Sequence, residues 1–225
     1  MWGREIGPTL FAILGKVANS EVKMKPIEKP AFYAALIGPI QSALGWLIAG
    51  SLWAGYDPAR QTISELASPE SPVKVIMSSF FVFGGILTVI VSHYAKTFAL
   101  GGRIALLVSA ICTFGLTIFP TPLIGASTMH RIFAISSFAI SAGWPLLAMR
   151  KDKRAPWPIR PTATIIGTAI QATLAISFLI VWSDPNALNI GIWERVVAVS
   201  QALYVALVVI ISYRLQRRTA RAIER

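Results

Sequence analysis

Six stretches of this chain are long and apolar enough to cross a lipid bilayer, which takes about 20 residues of helix. They run Ala31–Gly55, Val73–Ala95, Arg103–Phe119, Met129–Met149, Thr162–Trp182 and Gly191–Tyr213. The third is the shortest and needs its flanks to reach both surfaces. Composition agrees with the count. Of the 225 residues, 55% are hydrophobic and only 14% are charged, roughly half the charge of a soluble globular domain. A soluble domain of this size would need more polar surface. The expected fold is all-α, an integral membrane six-transmembrane-helix bundle. A lone cysteine, Cys112, excludes an intramolecular disulfide framework and a cysteine zinc cluster, and it is expected within the third span.

The chain carries a net charge of +11, and the distribution of its basic residues gives the expected orientation. With both termini cytoplasmic, 17 of the 21 Lys and Arg lie inside, and only Arg60, Lys74, Arg131 and Arg195 lie outside. The positive-inside rule asks for this asymmetry. The reverse orientation would translocate the basic run Arg150–Arg154. The basic surplus therefore points to anionic lipid at the cytoplasmic face and not to nucleic acid. Trp53, Trp182 and Trp193 are expected at outer ends, and Trp144 and Trp157 near the inner surface, as interfacial anchors.

The chain divides into three parts. Residues 1–30 form a cytoplasmic segment without the ordered parts of a signal peptide. Within it Ile6, Leu10, Ile13, Leu14 and Val17 share a face, so Pro8–Asn19 reads as an amphipathic helix on the inner leaflet. Pro26 and Pro30 then interrupt the chain. Residues 31–213 form the membrane domain, and residues 214–225 form a basic cytoplasmic tail continuing the last helix.

Chemistry concentrates in the outer connections. The first, Tyr56 to Pro72, carries Arg60, Ser64 and Glu65, and Thr62 with Glu65 fits a capping box that starts a short helix. A cysteine at Ser68 in this loop is expected to react from outside. The second connection leads to His130 and Arg131, and the third to Glu194 and Arg195. Ionisable groups at the ends of spans are costly to shield from water and are usually paired or functional. Salt bridges among Glu65, Glu194, Arg131 and Arg195 are the plainer reading. The sharper one is a pocket whose ligand touches Arg60, Glu65, His130, Arg131, Glu194 and Arg195.

The stretch Ile63-Ser64-Glu65-Leu66, the pair Phe119-Pro120, His130, and the pair Glu194-Arg195 give the sequence a further reading. From about Ala31 to Tyr213 it resembles the membrane proteins grouped as domain-of-unknown-function family 998. The resemblance implies a six-helix integral membrane fold, in a bacterial inner membrane, and no assigned reaction.

Several chemistries can be weighed against residue positions. The two histidines, His93 and His130, belong near opposite membrane surfaces, about 25 Å apart in depth. They cannot share a haem or a zinc ion; a single histidine with Glu65 and Glu194 is the one zinc arrangement left open, and no cofactor or metal is expected. A hydrolase would use Ser64 as nucleophile, His130 as base and Glu65 or Asp184 as orienting acid. No nucleophile-elbow motif surrounds Ser64, whose plainer role is a backbone hydrogen bond at a helix start. For His130 that role is a fixed bond to Glu65 or to an outer-loop carbonyl. Gln41, Gln171, Gln201 and Tyr204 are polar positions within spans, read as packing contacts, and no charge stands at mid-membrane. The leading expectation is a non-enzymatic protein of the cell membrane. It would be a subunit with a membrane-protein partner, or a binder of a lipid or small amphiphile at the outer polar cluster. A lipid-directed enzyme and a small transporter are the alternatives.

Overall fold

The computed structural model describes residues 24–223. Six long helices run in sequence: α1 Lys29–Leu52, α2 Lys74–Tyr94, α3 Leu100–Ile118, α4 Thr128–Leu147, α5 Pro161–Ser183 and α6 Ile190–Ile223. One-turn 3₁₀ helices at Ser64–Ala67 and Trp157–Ile159 sit in the connections before α2 and α5. The amphipathic helix expected at Pro8–Asn19 lies outside the described residues.

Five of the six helices are long and apolar enough to cross a membrane. The sixth, α4, is 20 residues long but less apolar than expected, because it carries His130, Arg131, Ser136, Ser137 and Ser141. It nevertheless packs between α3 and α5 in the bundle. The outward faces of the helices are apolar, with Ile37, Ile40, Leu44 and Leu47 of α1 and Ile165, Ile166 and Ile170 of α5 exposed. The interior is built from small residues that let helices approach. A Cβ at Gly85 would collide with the ring of Phe114, so α2 and α3 depend on that glycine.

Local chemistry explains the helix ends. Pro30 and Pro161 stand in first turns, where a missing N–H leaves no bond unmade. The short third span starts earlier than expected, at Leu100, because Arg103 is used within the helix. Its Nε donates to the Ser92 carbonyl at 2.8 Å and its Nη2 to the His93 carbonyl at 3.2 Å. Those are final-turn carbonyls of α2, which the helix itself cannot satisfy.

At the same end of the bundle, Arg150 donates to the carbonyls of Thr97 and Phe98 at 3.0 and 3.1 Å. The Gln216 side chain bonds both the Thr97 hydroxyl and the Ile27 N–H. Together they lock the start of α1, the α2–α3 turn and the far part of α6. Trp144 corrects an expectation. It is 1% exposed, packed against Phe98 and Tyr204 with ring centroids 5.5 and 6.0 Å away, and so is a core residue and not an interfacial anchor. Cys112 is buried in α3 as expected.

Candidate functional site

The long connection from Trp53 to Val73 folds back onto the opening turns of α6. Gly55, with φ 84°, makes the turn that leaves α1. The Gly191 N–H donates to the Ala59 carbonyl at 2.9 Å. A Cβ at Gly191 would overlap the carbonyl oxygens of Pro58 and Gln61, so only glycine lets the loop rest here. The capping box forms as the spacing indicated. The Glu65 N–H donates to Thr62 Oγ1 at 3.2 Å, and Thr62 N–H and Oγ1 donate to Glu65 Oε1 at 3.3 and 3.1 Å. The helix it starts is a single 3₁₀ turn.

That turn presents Ser64 and the Ile63 N–H to Glu194, in the second turn of α6. Ser64 Oγ donates to Glu194 Oε1 at 2.9 Å, and the Ile63 N–H donates to Oε2. Ser64 thus holds a carboxylate from another element, where a local backbone bond was expected. Glu194 is 5% exposed.

Arg195 turns the other way. Its Nη1 donates to the carbonyls of Pro58, Gln61 and Gly191 at 2.8, 3.0 and 2.8 Å, and its Nη2 to the Tyr56 hydroxyl. The guanidinium lies 5.2 Å from the centroid of Trp46 and 5.6 Å from that of Tyr56. Tyr56 in turn donates toward the Gln61 and Thr62 carbonyls. Burial pushes its phenol up to about 12, against the lowering influence of Arg195.

The expected outer salt bridges are therefore replaced. Among the described residues Glu65, Glu194, Arg131 and Arg195 make no ion pair with one another. Arg60 pairs instead with Asp57 at 3.6 Å, largely in solvent. Arg131 lies 5.7 Å from the ring centroid of Trp182. His130 is buried, with Nδ1 3.0 Å from the Phe119 carbonyl oxygen, and its N–H is capped by Ser127. That matches the outer-loop carbonyl considered for it, and among the described residues no hydrogen bond joins it to Ser64 or Glu65. The six proposed ligand-binding residues thus separate. Glu65, Glu194 and Arg195 gather with Ser64, while Arg60 is peripheral and His130 with Arg131 belongs to the start of α4. Ser68, expected to be accessible, is fully buried and donates to Glu70. This bond is the main reason the Glu70 carboxyl sits below its ordinary range.

Below the Ser64–Glu194 contact lies a cavity of about 220 Å³ between α1, α2, α3, α4 and α6. One ordered water needs only about 10–15 Å³. Its walls are mostly apolar, including Phe80, Phe81, Leu87 and Phe138, with polar groups at Gln41, Ser109, Ser141 and Gln201. Most of these groups are bound to protein. Ser109 and Ser141 hydroxyls pair at 2.8 Å, and Gln201 Nε2 donates to the Phe138 carbonyl at 3.0 Å. Gln41 differs. It is 9% exposed, and its Oε1 has no partner. Its amide lies over Gly84, where a Cβ would sit 2.8 Å from Nε2. The packing role expected of Gln41 does not account for this unpartnered oxygen. Its signal was present as an amide in an apolar helix, two residues from a proline.

A family described as a protein of unknown function, DUF998, matches residues 36–211. The chain belongs to the DUF998 family. No curated protein and no solved structure matches it significantly. The family match covers all six helices in part or whole, the Ser64–Glu194 contact and the residues lining the cavity on every wall except Ala34 and Ala35 of α1.

Proposed function

We propose that this DUF998 protein is a non-enzymatic, multi-pass protein of the cell membrane that binds a small amphiphile in its central cavity. The ligand's polar head lies toward Glu194 and Ser64, and its apolar part lies against Phe80, Phe81 and Leu87. One observation carries the reading. The cavity is apolar along its walls, yet a buried carboxylate lines it and a buried amide oxygen without a partner belongs to it. Binding sites for small molecules combine these features: an apolar body and a few placed polar groups.

In this reading α4 crosses the membrane with the other five helices, and both termini are cytoplasmic. The end holding Arg103, Arg150 and Arg214 then faces anionic lipid, and Glu194 stands toward the outer face. A cell membrane of bacterial inner-membrane type fits the basic asymmetry.

Native mass spectrometry of the protein extracted gently from its own membrane tests the reading. Wild type should retain a small amphiphile, and Ser137→Phe, which fills the cavity from α4, should lose it while keeping wild-type thermal stability. Equal retention by both proteins, or a stoichiometric protein partner with no small molecule, would overturn it.

A further inference from the structure

We propose that the amphiphile carries a cationic ammonium head, seated at Glu194; this rests on the binding reading above and names its ligand class. Glu194 is the one ionisable side chain among the described residues that line the cavity. Its two hydrogen-bond partners, the Ser64 hydroxyl and the Ile63 N–H, are both neutral donors. Among the described residues no Lys, Arg or His comes within ion-pair distance of it. The nearest cation in sequence, Arg195, is engaged by three carbonyls, the Tyr56 hydroxyl and two aromatic rings. A buried carboxylate without an ion-pair partner is costly, and a bound cation offsets that cost directly.

The rest of the polar lining points the same way. Gln41 Oε1 is an unused acceptor. Pro39 and Pro145 have no N–H to offer the carbonyls of Ala35 and Ser141, four residues earlier in each helix, and both of those residues line the cavity. These carbonyls and the amide oxygen are acceptors that an ammonium with several N–H groups can use. The rings of Phe80, Phe81 and Phe138 add faces that attract cations and repel anions. A carboxylate or phosphate head would meet Glu194 with like charge. An alcohol would leave the charge unpaired.

The test uses three probes with one tail, octylammonium, octanol and octanoate, titrated into the full-length protein in nanodiscs at neutral pH. Octylammonium should bind about tenfold or more tighter than octanol, from the strength of hydrogen bonds to charged groups. Octanoate should bind least. In Glu194→Gln the ratio of octylammonium to octanol affinity should fall to about one. Octanol affinity in Glu194→Gln should stay at the wild-type level, which shows that the variant is folded with its cavity intact. Equal binding of octylammonium and octanol in wild type, or tightest binding of octanoate, would overturn the cationic head while leaving the amphiphile reading intact. No binding of any probe, with Ser137→Phe indistinguishable from wild type, would overturn both.

Discussion

Arg60 and Arg195 are both arginines near the same loop, and truncating each to alanine should have very different consequences. Arg195 donates four hydrogen bonds, three of them to carbonyls at 2.8 to 3.0 Å, and stacks between Trp46 and Tyr56. Charge-assisted hydrogen bonds contribute about 1.5–3 kcal/mol each, and a partly shielded cation–π contact about 1 kcal/mol. These terms do not add, because the two Nη1 hydrogens are shared among three carbonyls and water re-solvates the freed groups, so the net loss should be about 3–4 kcal/mol, at the high end for a single substitution. For a chain of this size each kcal/mol moves the midpoint by about 2–4 °C, so Arg195→Ala should unfold roughly 6–16 °C lower. Arg60, by contrast, has only an Asp57 partner at 3.6 Å, with its side chain 63% exposed. Exposed pairs contribute about 0–1 kcal/mol, so Arg60→Ala should stay within about 2 °C of wild type. Thermal unfolding in a mild detergent, followed by intrinsic tryptophan fluorescence, reads both. Arg195→Lys should recover less than half the loss, since an ammonium cannot span three carbonyls and a phenol at once. The reasoning fails if Arg195→Ala and Arg60→Ala melt together.

Two further expectations concern the same loop. With its pKa at about 12, Tyr56 should remain protonated in the folded protein when exposed tyrosines have ionised. The unfolded chain releases that proton first, near 10, so this contribution is complete below pH 10 and falls as pH rises from 10 toward 12. An ultraviolet titration of wild type against Tyr56→Phe should isolate one late phenol, and a difference at ordinary tyrosine pH would contradict the burial. For topology, a cysteine at the exposed Pro69 in a Cys112→Ala background should react with a water-soluble thiol reagent from outside intact cells, whereas one at the buried Ser68 should not. Labelling of Pro69→Cys only after lysis would reverse the orientation.

Much of the architecture was readable in the linear chain. The spans deduced from hydropathy start and stop within a few residues of α1 to α6, apart from the basic extension of α6 to Ile223 and the earlier start of α3. The Thr62–Glu65 capping box and the carbonyl bond of His130 were also within reach, because each depends on partners a few residues away or on a turn next to the helix. The site was less legible. His130 and Glu194 both stand at helix starts of the same bundle end, and sequence offered no reason to separate them. Trp144 looked like an interfacial ring, yet Phe98 and Tyr204 from other helices enclose it.

Local physics explains what the sequence determined by itself. About 1.5 Å of rise per residue against about 30 Å of hydrocarbon makes each helix a property of its own segment, and the basic residues suggest which end faces inward. Tertiary structure alone decided which polar groups meet. Ser64 and Glu194 are 130 residues apart, and Arg195 reaches Pro58 across 137. Those pairings arise only when Gly191 lets the first loop settle on α6, and they turn one carboxylate toward the cavity and the neighbouring guanidinium away from it. No periodicity or charge count along the chain encodes that choice, because it depends on how the six helices pack.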